Sequence, residues 1–346
     1  MKKCLLDLHK TDFEDLVSSL NQPKYRANQI YSAVFSGLQI DEITNISKEL
    51  REKLKEEYVA NPVSIYKKFE SKDGTIKYAL KLQDDEIIEC VVLSYKYGRT
   101  ICLSTQVGCR MGCAFCASGL NGLVRNLSSG EILGEILAVN RDLNGGATKR
   151  EITNIVLMGS GEPLDNYENV TDFLRKISSP DTLGISQRNI SLSTCGLVPK
   201  IKQLADDGFS ITLTISLHAP NDETRKQIMK IANAYDLKSL IEATKYYFKK
   251  TGRRVVFEYA MISGVNDSFE HAKQLAKLVS GYPTHINLIP LNSVKEKNLL
   301  ATSKKQIYAF KDKLEELGAS VSIRRSLGAD IEGACGQLRN KLLKNS

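Results

Sequence analysis

Three cysteines lie close together in the chain, at Cys109, Cys113 and Cys116. Because they are spaced C-x₃-C-x₂-C, one loop can bring all three thiols to the same point. A structural zinc site takes four protein ligands and keeps no open position. Three thiolates instead suit an iron–sulfur cluster with one iron left open to a substrate or cofactor, since such clusters are held by cysteine. The spacing favours the open cluster, and a zinc site that borrows a fourth cysteine is the alternative.

Two further motifs carry groups suited to a polar ligand. The pair Gly161–Glu162 places a carboxylate beside a glycine that lets a ligand approach the backbone, which suits a ligand with an ammonium group. The run Ser216–Leu217–His218 offers hydroxyl, backbone and imidazole donors to a ribose or a carboxylate. An ordinary surface glutamate and a buried, hydrogen-bonded histidine are the alternative interpretations.

Two cysteines outside the loop lie in unusual sequence settings. Cys335 is surrounded by small residues near the C-terminus, and Cys102 precedes the cysteine loop. A thiolate can be alkylated, attack carbon or exchange with a second thiol. The alternative for each is a small buried hydrophobic residue. That second interpretation is also the one we give to Cys4, Cys90 and Cys195.

The hydrophobic pattern divides the chain into three parts. In residues 1–60 apolar side chains recur every three or four positions, which predicts an N-terminal helical accessory domain. In residues 61–98 the period changes to two around the turn dipeptide Asp73–Gly74, which predicts a short antiparallel β meander linked to the core. Residues 99–346 form the predicted core and a C-terminal extension that carries Cys335.

Strands and helices alternate along the core, which predicts an α/β fold. Residues 155–158 and 212–215 carry no charged side chain, as in a parallel sheet covered on both faces. Repeated βα units give an open sheet or a complete or partial barrel, and either places the chemistry at the carboxyl ends of the strands. We predict strands near 100–105, 153–159, 189–194, 211–217, 254–260, 284–289 and 320–325, and helices near 128–141, 166–177, 198–207, 222–230, 236–250, 268–280 and 304–317.

Composition and charge indicate the environment in which the protein works and the kind of partner it binds. The 346 residues are 42% hydrophobic and 25% charged, as in an ordinary globular protein, and no apolar run is long enough to span a membrane. Asp7 comes too early for a secretory signal, so we expect the eight cysteines in a reducing cytoplasm. Residues 1–100 hold 16 basic and 16 acidic side chains, so the net charge of +8 arises in residues 101–346. That surplus fits a polyanionic partner such as nucleic acid.

Taken together, these motifs resemble the radical S-adenosylmethionine superfamily, and within it the adenine-C2 methyltransferases of ribosomal and transfer RNA, the RlmN type. The resemblance runs from residues 5–8 to residues 334–338 and implies a partial (β/α)₆-type TIM barrel. It implies that Cys109, Cys113 and Cys116 hold a [4Fe–4S] cluster whose open iron binds S-adenosylmethionine. The positions that match cofactor-binding residues of the family are Gly161, Glu162, Ser193, Ser216, Leu217, His218 and Asn292.

The resemblance also implies a mechanism. Cys335 would first be methylated by one S-adenosylmethionine. A second molecule would give a 5′-deoxyadenosyl radical that takes hydrogen from the methylated Cys335, and the thiomethylene radical would add to adenine C2. Glu89 stands at the position of a proton acceptor. Cys102 would then attack the Cys335 sulfur and release the product, leaving a transient disulfide.

The implied substrates are adenosine 2503 of 23S rRNA, before the ribosome is fully assembled, and adenosine 37 of some tRNAs. The implied partners include an electron donor such as flavodoxin, and the implied state is a monomer that contacts no membrane. One departure from the family pattern is Ser160, where methionine is common. The alternatives are an adenine-C8 methyltransferase of the Cfr type, which shares the cysteines, and a zinc-binding RNA-binding protein without catalysis.

Overall fold

The computed structural model describes residues 1–146, 149–292, 294 and 296–338. The last eight residues of the predicted C-terminal extension, 339–346, therefore lie outside the described residues. Within the described ranges, every helix is too short or too polar to cross a lipid bilayer.

The N-terminal segment is helical, as its apolar spacing predicts. Two short strands bring its ends together, because β1 (Lys3–Cys4) pairs in parallel with β2 (Tyr58–Val59). The helices bury one face each, and the edge of the Phe13 ring contacts Tyr31 at a centroid distance of 5.4 Å. The three helices are α1 (Lys10–Ser19), α2 (Tyr25–Phe35) and α3 (Lys48–Glu57).

The predicted meander consists of three antiparallel strands that continue directly into the core. They are β3 (Ser64–Glu70), β4 (Ile76–Lys81) and β5 (Ile87–Tyr95). Because β5 also pairs with β6 (Gly98–Leu103), meander and core form one ten-stranded sheet rather than two separate sheets. The hydrophobic pattern could not show this, since it gives the period of a strand but not its neighbours.

Seven parallel strands, β6 and six that follow it, form the larger part of the sheet, and all seven predicted core strands are found. A short hairpin of β7 (Gln106–Gly108) and β8 (Leu123–Asn126) flanks the cysteine loop. The sheet begins at β3 and ends at β14, and these two strands are not neighbours, as in a partial barrel. The remaining strands are β9 (Ile152–Leu157), β10 (Ile190–Thr194), β11 (Thr212–Ser216), β12 (Val255–Met261), β13 (Thr284–Pro290) and β14 (Val321–Ile323).

Helices connect consecutive parallel strands, and the seven predicted core helices are found. Ser128 caps the first of them through a reciprocal pair of hydrogen bonds with Glu131. Ser303 caps the last one, although the Gln306 side chain bonds to the Asp267 carbonyl instead of completing a second capping box. The helices are α4 (Ser129–Asp142), α5 (Tyr167–Ser178), α6 (Val198–Asp206), α7 (Asp222–Ile228), α8 (Leu237–Thr251), α9 (Phe269–Leu278) and α10 (Lys304–Glu316).

Candidate active site

A cleft at the carboxyl ends of the parallel strands collects most of the predicted site residues. It contains about 900 Å³ of empty space, counting its open mouth. The predicted residues that line it are Cys109, Cys113, Cys116, Gly161, Glu162, Ser193, Ser216, His218, Asn292 and Cys335. We call it the cofactor cleft.

The cysteine loop is fixed to the fold by its backbone. The Cys109 N–H donates to the Gly122 carbonyl at 2.9 Å, and the Ala114 N–H donates to the Ile228 carbonyl at 2.9 Å. Burial raises the pKa of the Cys109 thiol to about 12. A thiolate at this position therefore needs a positive charge beside it, which bound iron would supply.

Glu162 is buried in the wall of the cleft. Its carboxylate accepts hydrogen bonds from the Cys195 N–H at 2.7 Å and the Leu164 N–H at 3.0 Å. Burial raises its pKa, and these hydrogen bonds oppose the rise. The neighbouring Gly161 has a φ of +109°, and a side chain there would come within 2.7 Å of Gln106. Only glycine fits, so the strand end passes close to Gln106 and turns Glu162 into the cleft.

Polar side chains of β10, β11 and β12 are joined by hydrogen bonds across the strand ends. Ser193 donates to Glu258 at 3.2 Å, and its hydroxyl lies 3.3 Å from that of Ser216. The other Glu258 oxygen accepts from Arg324 at 2.9 Å. Arg324 follows β14, so this ion pair spans β13 and joins the ends of β12 and β14. Glu258 lies in the strand predicted near 254–260, but no sequence pattern indicates its partner.

His218 and Leu217 occupy different environments despite being neighbours. His218 has a φ of +57°, and its Nδ1 accepts a hydrogen bond from the Ala260 N–H at 2.9 Å. Burial lowers the His218 pKa to about 3, so the ring is neutral and carries its proton on Nε2. The Leu217 side chain is fully buried in the hydrophobic core and does not line the cleft. Any contact of Leu217 with a ligand would therefore use its backbone.

A second, adjoining cavity contains Cys102 and also Cys335, and we call it the thiol cavity. Cys335 lines both cavities, and its carbonyl accepts a hydrogen bond from Asn292 at 3.0 Å. Burial raises the pKa of the Cys102 thiol to about 12, and the charge of nearby Arg324 opposes the rise. All eight cysteines are free thiols in the structure.

Glu89 lies outside both cavities, although the strand that carries it borders one of them. Val91 and Leu93 of β5 line the thiol cavity, and Glu89 shares their face of the strand because alternate residues point the same way. The Glu89 carboxylate pairs with the Lys77 ammonium at 3.2 Å, and both side chains are more than 90% buried. Lys77 also donates to the Glu332 carbonyl at 3.4 Å, three residues before Cys335.

Comparison with known proteins identifies the family. The radical SAM superfamily model matches residues 103–276, and the model of the ribosomal RNA large subunit methyltransferase N-terminal domain matches residues 4–59. A probable dual-specificity RNA methyltransferase RlmN from Clostridium novyi is 48% identical over 99% of this chain and 100% of its own length. The chain belongs to the RlmN family of radical SAM RNA methyltransferases.

Two further relatives agree with this assignment. A probable dual-specificity RNA methyltransferase RlmN from Staphylococcus aureus is 45% identical over 98% of this chain and 93% of its own length. The crystal structure of a radical SAM methyltransferase from Sphaerobacter thermophilus superposes with a TM-score of 0.93 at 38% identity, covering 98% of this chain and 99% of that one. The resemblance inferred from the motifs is confirmed, and a zinc-binding protein without catalysis is excluded.

Enzymes of this superfamily use a [4Fe–4S] cluster and S-adenosylmethionine, and the residues present fit them. The fit rests on Arg225, which is fully buried and donates to the Cys195 carbonyl at 2.6 Å. Its Nη1 has no hydrogen-bond partner among the described residues. Arg225 also acts electrostatically on Cys113, whose pKa burial raises. A buried cation with an unpaired N–H beside a cysteine of the loop suits an anionic thiolate-bound cluster.

Proposed function

We propose that this enzyme methylates C2 of adenosine in RNA, at adenosine 2503 of 23S rRNA before full ribosome assembly and at adenosine 37 of some tRNAs. The observation that carries this proposal is the position of Cys335. It borders the cofactor cleft on one side and Cys102 on the other. A thiol in that position can receive a group from a ligand in the cleft and then be attacked by a second thiol.

The cluster and S-adenosylmethionine, when bound, supply the methyl group and the radical that activates it. In this proposal Cys109, Cys113 and Cys116 hold the cluster. The Glu162 carboxylate accepts a hydrogen bond from the ammonium group of S-adenosylmethionine. The other polar groups of S-adenosylmethionine are bound by Ser193, Ser216, His218 and Asn292. Gly161 and the Leu217 backbone complete the binding surface.

Three residues of this chain would then act on the methyl carbon and the base. Cys335 loses its thiol proton and forms a bond to the methyl carbon as the bond between that carbon and the sulfonium sulfur of S-adenosylmethionine breaks, and it then presents this carbon to adenine C2. Glu89, whose carboxylate pairs with the Lys77 ammonium at 3.2 Å, accepts the proton that C2 loses. The Cys102 sulfur attacks the Cys335 sulfur, so that a sulfur–sulfur bond forms while the carbon–sulfur bond breaks, and the released carbon takes up a proton and stays on the RNA as the methyl group.

Product analysis tests the regiochemistry. We expect digests of 23S rRNA and tRNA, methylated by the cluster-loaded enzyme, to contain 2-methyladenosine by mass spectrometry against synthetic standards. A product that is 8-methyladenosine alone would contradict the proposal and favour the Cfr-type alternative. The flavodoxin-like electron donor, the monomeric state, the cytoplasmic location and the transient disulfide stay predictions.

A further inference from the structure

The hairpin between β5 and β6 presents two stacked tyrosines. Tyr95 pairs with Gly98 in the sheet, so Lys96 and Tyr97 form the two-residue tip. The Tyr95 and Tyr97 rings lie 5.0 Å apart between centroids with only 5° between their planes. Tyr97 is 70% exposed, whereas Tyr95 is half-buried beneath it. Tyr95 thus holds the Tyr97 ring in a fixed orientation with much of its surface in solvent.

The tyrosine pair lies beside the cavities of the active site. Tyr95 lines the thiol cavity together with Cys102 and Cys335. Both tyrosines also line a third, polar cavity inside the partial barrel, whose wall includes Arg324. Because Tyr95 and Arg324 border the second and third cavities alike, these two cavities adjoin, and the exposed Tyr97 ring lines the third cavity at the amino end of β6.

Exposed cations flank the tyrosine pair. Lys96 separates the two tyrosines in the chain, Arg188 lines the third cavity with them, and Arg325 lines the thiol cavity with Tyr95. A preoriented aromatic ring surrounded by positive charge matches a nucleotide, since its base stacks on the ring and its phosphates attract the cations. The acidic side chains of a peptide would match the cations but have no flat ring for Tyr97, whereas each nucleotide carries both a phosphate and a flat base.

We propose that Tyr97 is a stacking platform for one unpaired nucleobase of the RNA substrate, next to but distinct from the target adenine, with the flanking phosphates bound by Lys96, Arg188 and Arg325. The proposal rests on the proposed function in that the substrate is RNA whose target base leaves its stack. When a base leaves a stack, its neighbour loses one stacking partner. Tyr97 would replace that partner and so stabilise the open conformation of the RNA.

Binding by the full-length, cluster-loaded enzyme tests the platform. We expect Tyr97→Ala to weaken the Kd for a fluorescent, unmodified tRNA transcript on the order of tenfold, the loss typical of one stacked base. Tyr97→Phe keeps the ring, so its Kd should stay within about twofold of the wild type on the same ground. Tyr308→Ala is the matched control, because Tyr308 is 58% exposed on α10 and lines none of the three cavities. Thermal unfolding of each variant checks that the fold is intact.

Abasic substitution locates the base that stacks. In transcripts that each lack one base near the target, the loss of one particular base should weaken binding by the wild type. The same loss should leave the Kd of Tyr97→Ala unchanged.

The salt dependence of binding tests the phosphate contacts. Lys96→Ala, Arg188→Ala and Arg325→Ala should each lower the slope of log Kd against log salt by about one, as for a lost phosphate contact. Wild-type affinity in Tyr97→Ala would overturn the platform, and so would a Tyr97→Phe variant as weak as Tyr97→Ala.

Two readouts separate this proposal from the proposed function. Methylation of Cys335 without RNA, followed by mass spectrometry of the protein, should be unchanged in Tyr97→Ala. If the wild type binds the transcript through Tyr97 but yields no 2-methyladenosine, the proposed regiochemistry fails while the platform stands. If the wild type yields 2-methyladenosine and Tyr97→Ala binds like the wild type, only the platform fails.

Discussion

The cysteine loop and the C-terminal extension meet at the same site but are attached to the protein in different ways. The loop is held by backbone hydrogen bonds to neighbouring segments, such as the bond from Ala114 to Ile228. At its edge Arg110 adds a bidentate ion pair with Asp165. Backbone hydrogen bonds to a packed core fix a segment firmly, because they break only when the core opens.

The extension, residues 324–338, is attached at its base mainly through side chains. The Gly328 N–H donates to Asp73 at 2.8 Å, and Ser71 donates to Asp330 at 2.6 Å. Near Cys335 the Cys335 carbonyl accepts from Asn292, the Gly336 carbonyl accepts from the Ala117 N–H, and the Leu338 carbonyl accepts from the Ser118 hydroxyl. The difference fits the proposed chemistry, since a cluster needs a rigid loop while a thiol that serves two partners in turn needs a segment that can move.

The largest expected effect is a loss of RNA methylation, and it distinguishes the role of the cysteine loop from that of the C-terminal extension. We expect both Cys335→Ala and Cys113→Ala to reduce methyl transfer to RNA below detection. Cys335→Ala should keep full iron and sulfide content after anaerobic purification, because it removes only the methyl carrier. Cys113→Ala should lose the cluster. Methylated RNA from Cys335→Ala at any substantial yield would contradict the role of Cys335.

A second expected effect concerns the partner of Cys335. We expect Cys102→Ala to stop the reaction after the carbon has joined the RNA, since no thiol remains to attack the Cys335 sulfur. The product should then be a covalent protein–RNA adduct through Cys335, detected as a shifted band on a denaturing gel and by mass spectrometry. Cys90→Ala is the control, because Cys90 is buried and lines neither cavity. Free methylated RNA from Cys102→Ala at normal yield would refute the role.

A third prediction concerns Glu89 as the proton acceptor and its buried ion pair with Lys77. We expect Glu89→Gln to lower the rate of RNA methylation by about 10²–10⁴-fold, the usual contribution of a general base. Lys77→Met should also slow the reaction, because Glu89 loses its cation, and should cost stability of about 3–5 kcal/mol, as for a broken buried ion pair. Lys77→Arg keeps the charge and serves as the comparison. Single-turnover rates and thermal melts measure both effects, and wild-type rates in Glu89→Gln would exclude it as the proton acceptor.

The sequence predicts the fold well because the apolar pattern is strong. All seven core strands and helices follow from periodicity, and the cleft follows because the carboxyl ends of parallel strands meet at one edge. The motifs therefore come together even though they are far apart in the chain. Leu217 is the exception, because a motif does not reveal which of its side chains faces the core.

The sequence does not predict which charged side chains are buried in the site or which groups they contact. Lys77 meets Glu89 only because of the register between β4 and β5, which places Lys77 opposite Val91. Arg225 lies in a helix that begins with acidic residues, a pattern typical of an exposed helix, yet the Arg225 side chain is completely buried. Its guanidinium donates to the Cys195 carbonyl, which lies 30 residues away in the chain, and no local pattern describes such a contact.

The smallest expected effect concerns the attachment of the extension. Burial acts to raise the pKa of Asp73, but hydrogen bonds from the Gly328 N–H and from Thr75 lower it to about 2. We expect Asp73→Asn to weaken the attachment and reduce RNA methylation a few-fold, on the order of one lost hydrogen bond to a charged group. Hydrogen–deuterium exchange of residues 325–338 should rise at neutral pH. Asp85→Asn is the control, since Asp85 lies in an exposed turn and pairs with Lys81.

The pH dependence of this attachment has a definite sign. Because the folded pKa of Asp73 is depressed below the ordinary value of 3.8, the carboxylate favours the attached state. Its contribution is therefore fully present above pH of about 4 and is lost as the pH falls towards about 2, through the folded pKa. Exchange of residues 325–338, corrected for the intrinsic rate, should rise over that window in the wild type more steeply than in Asp73→Asn. Equal slopes in the two proteins would show that Asp73 does not hold the extension.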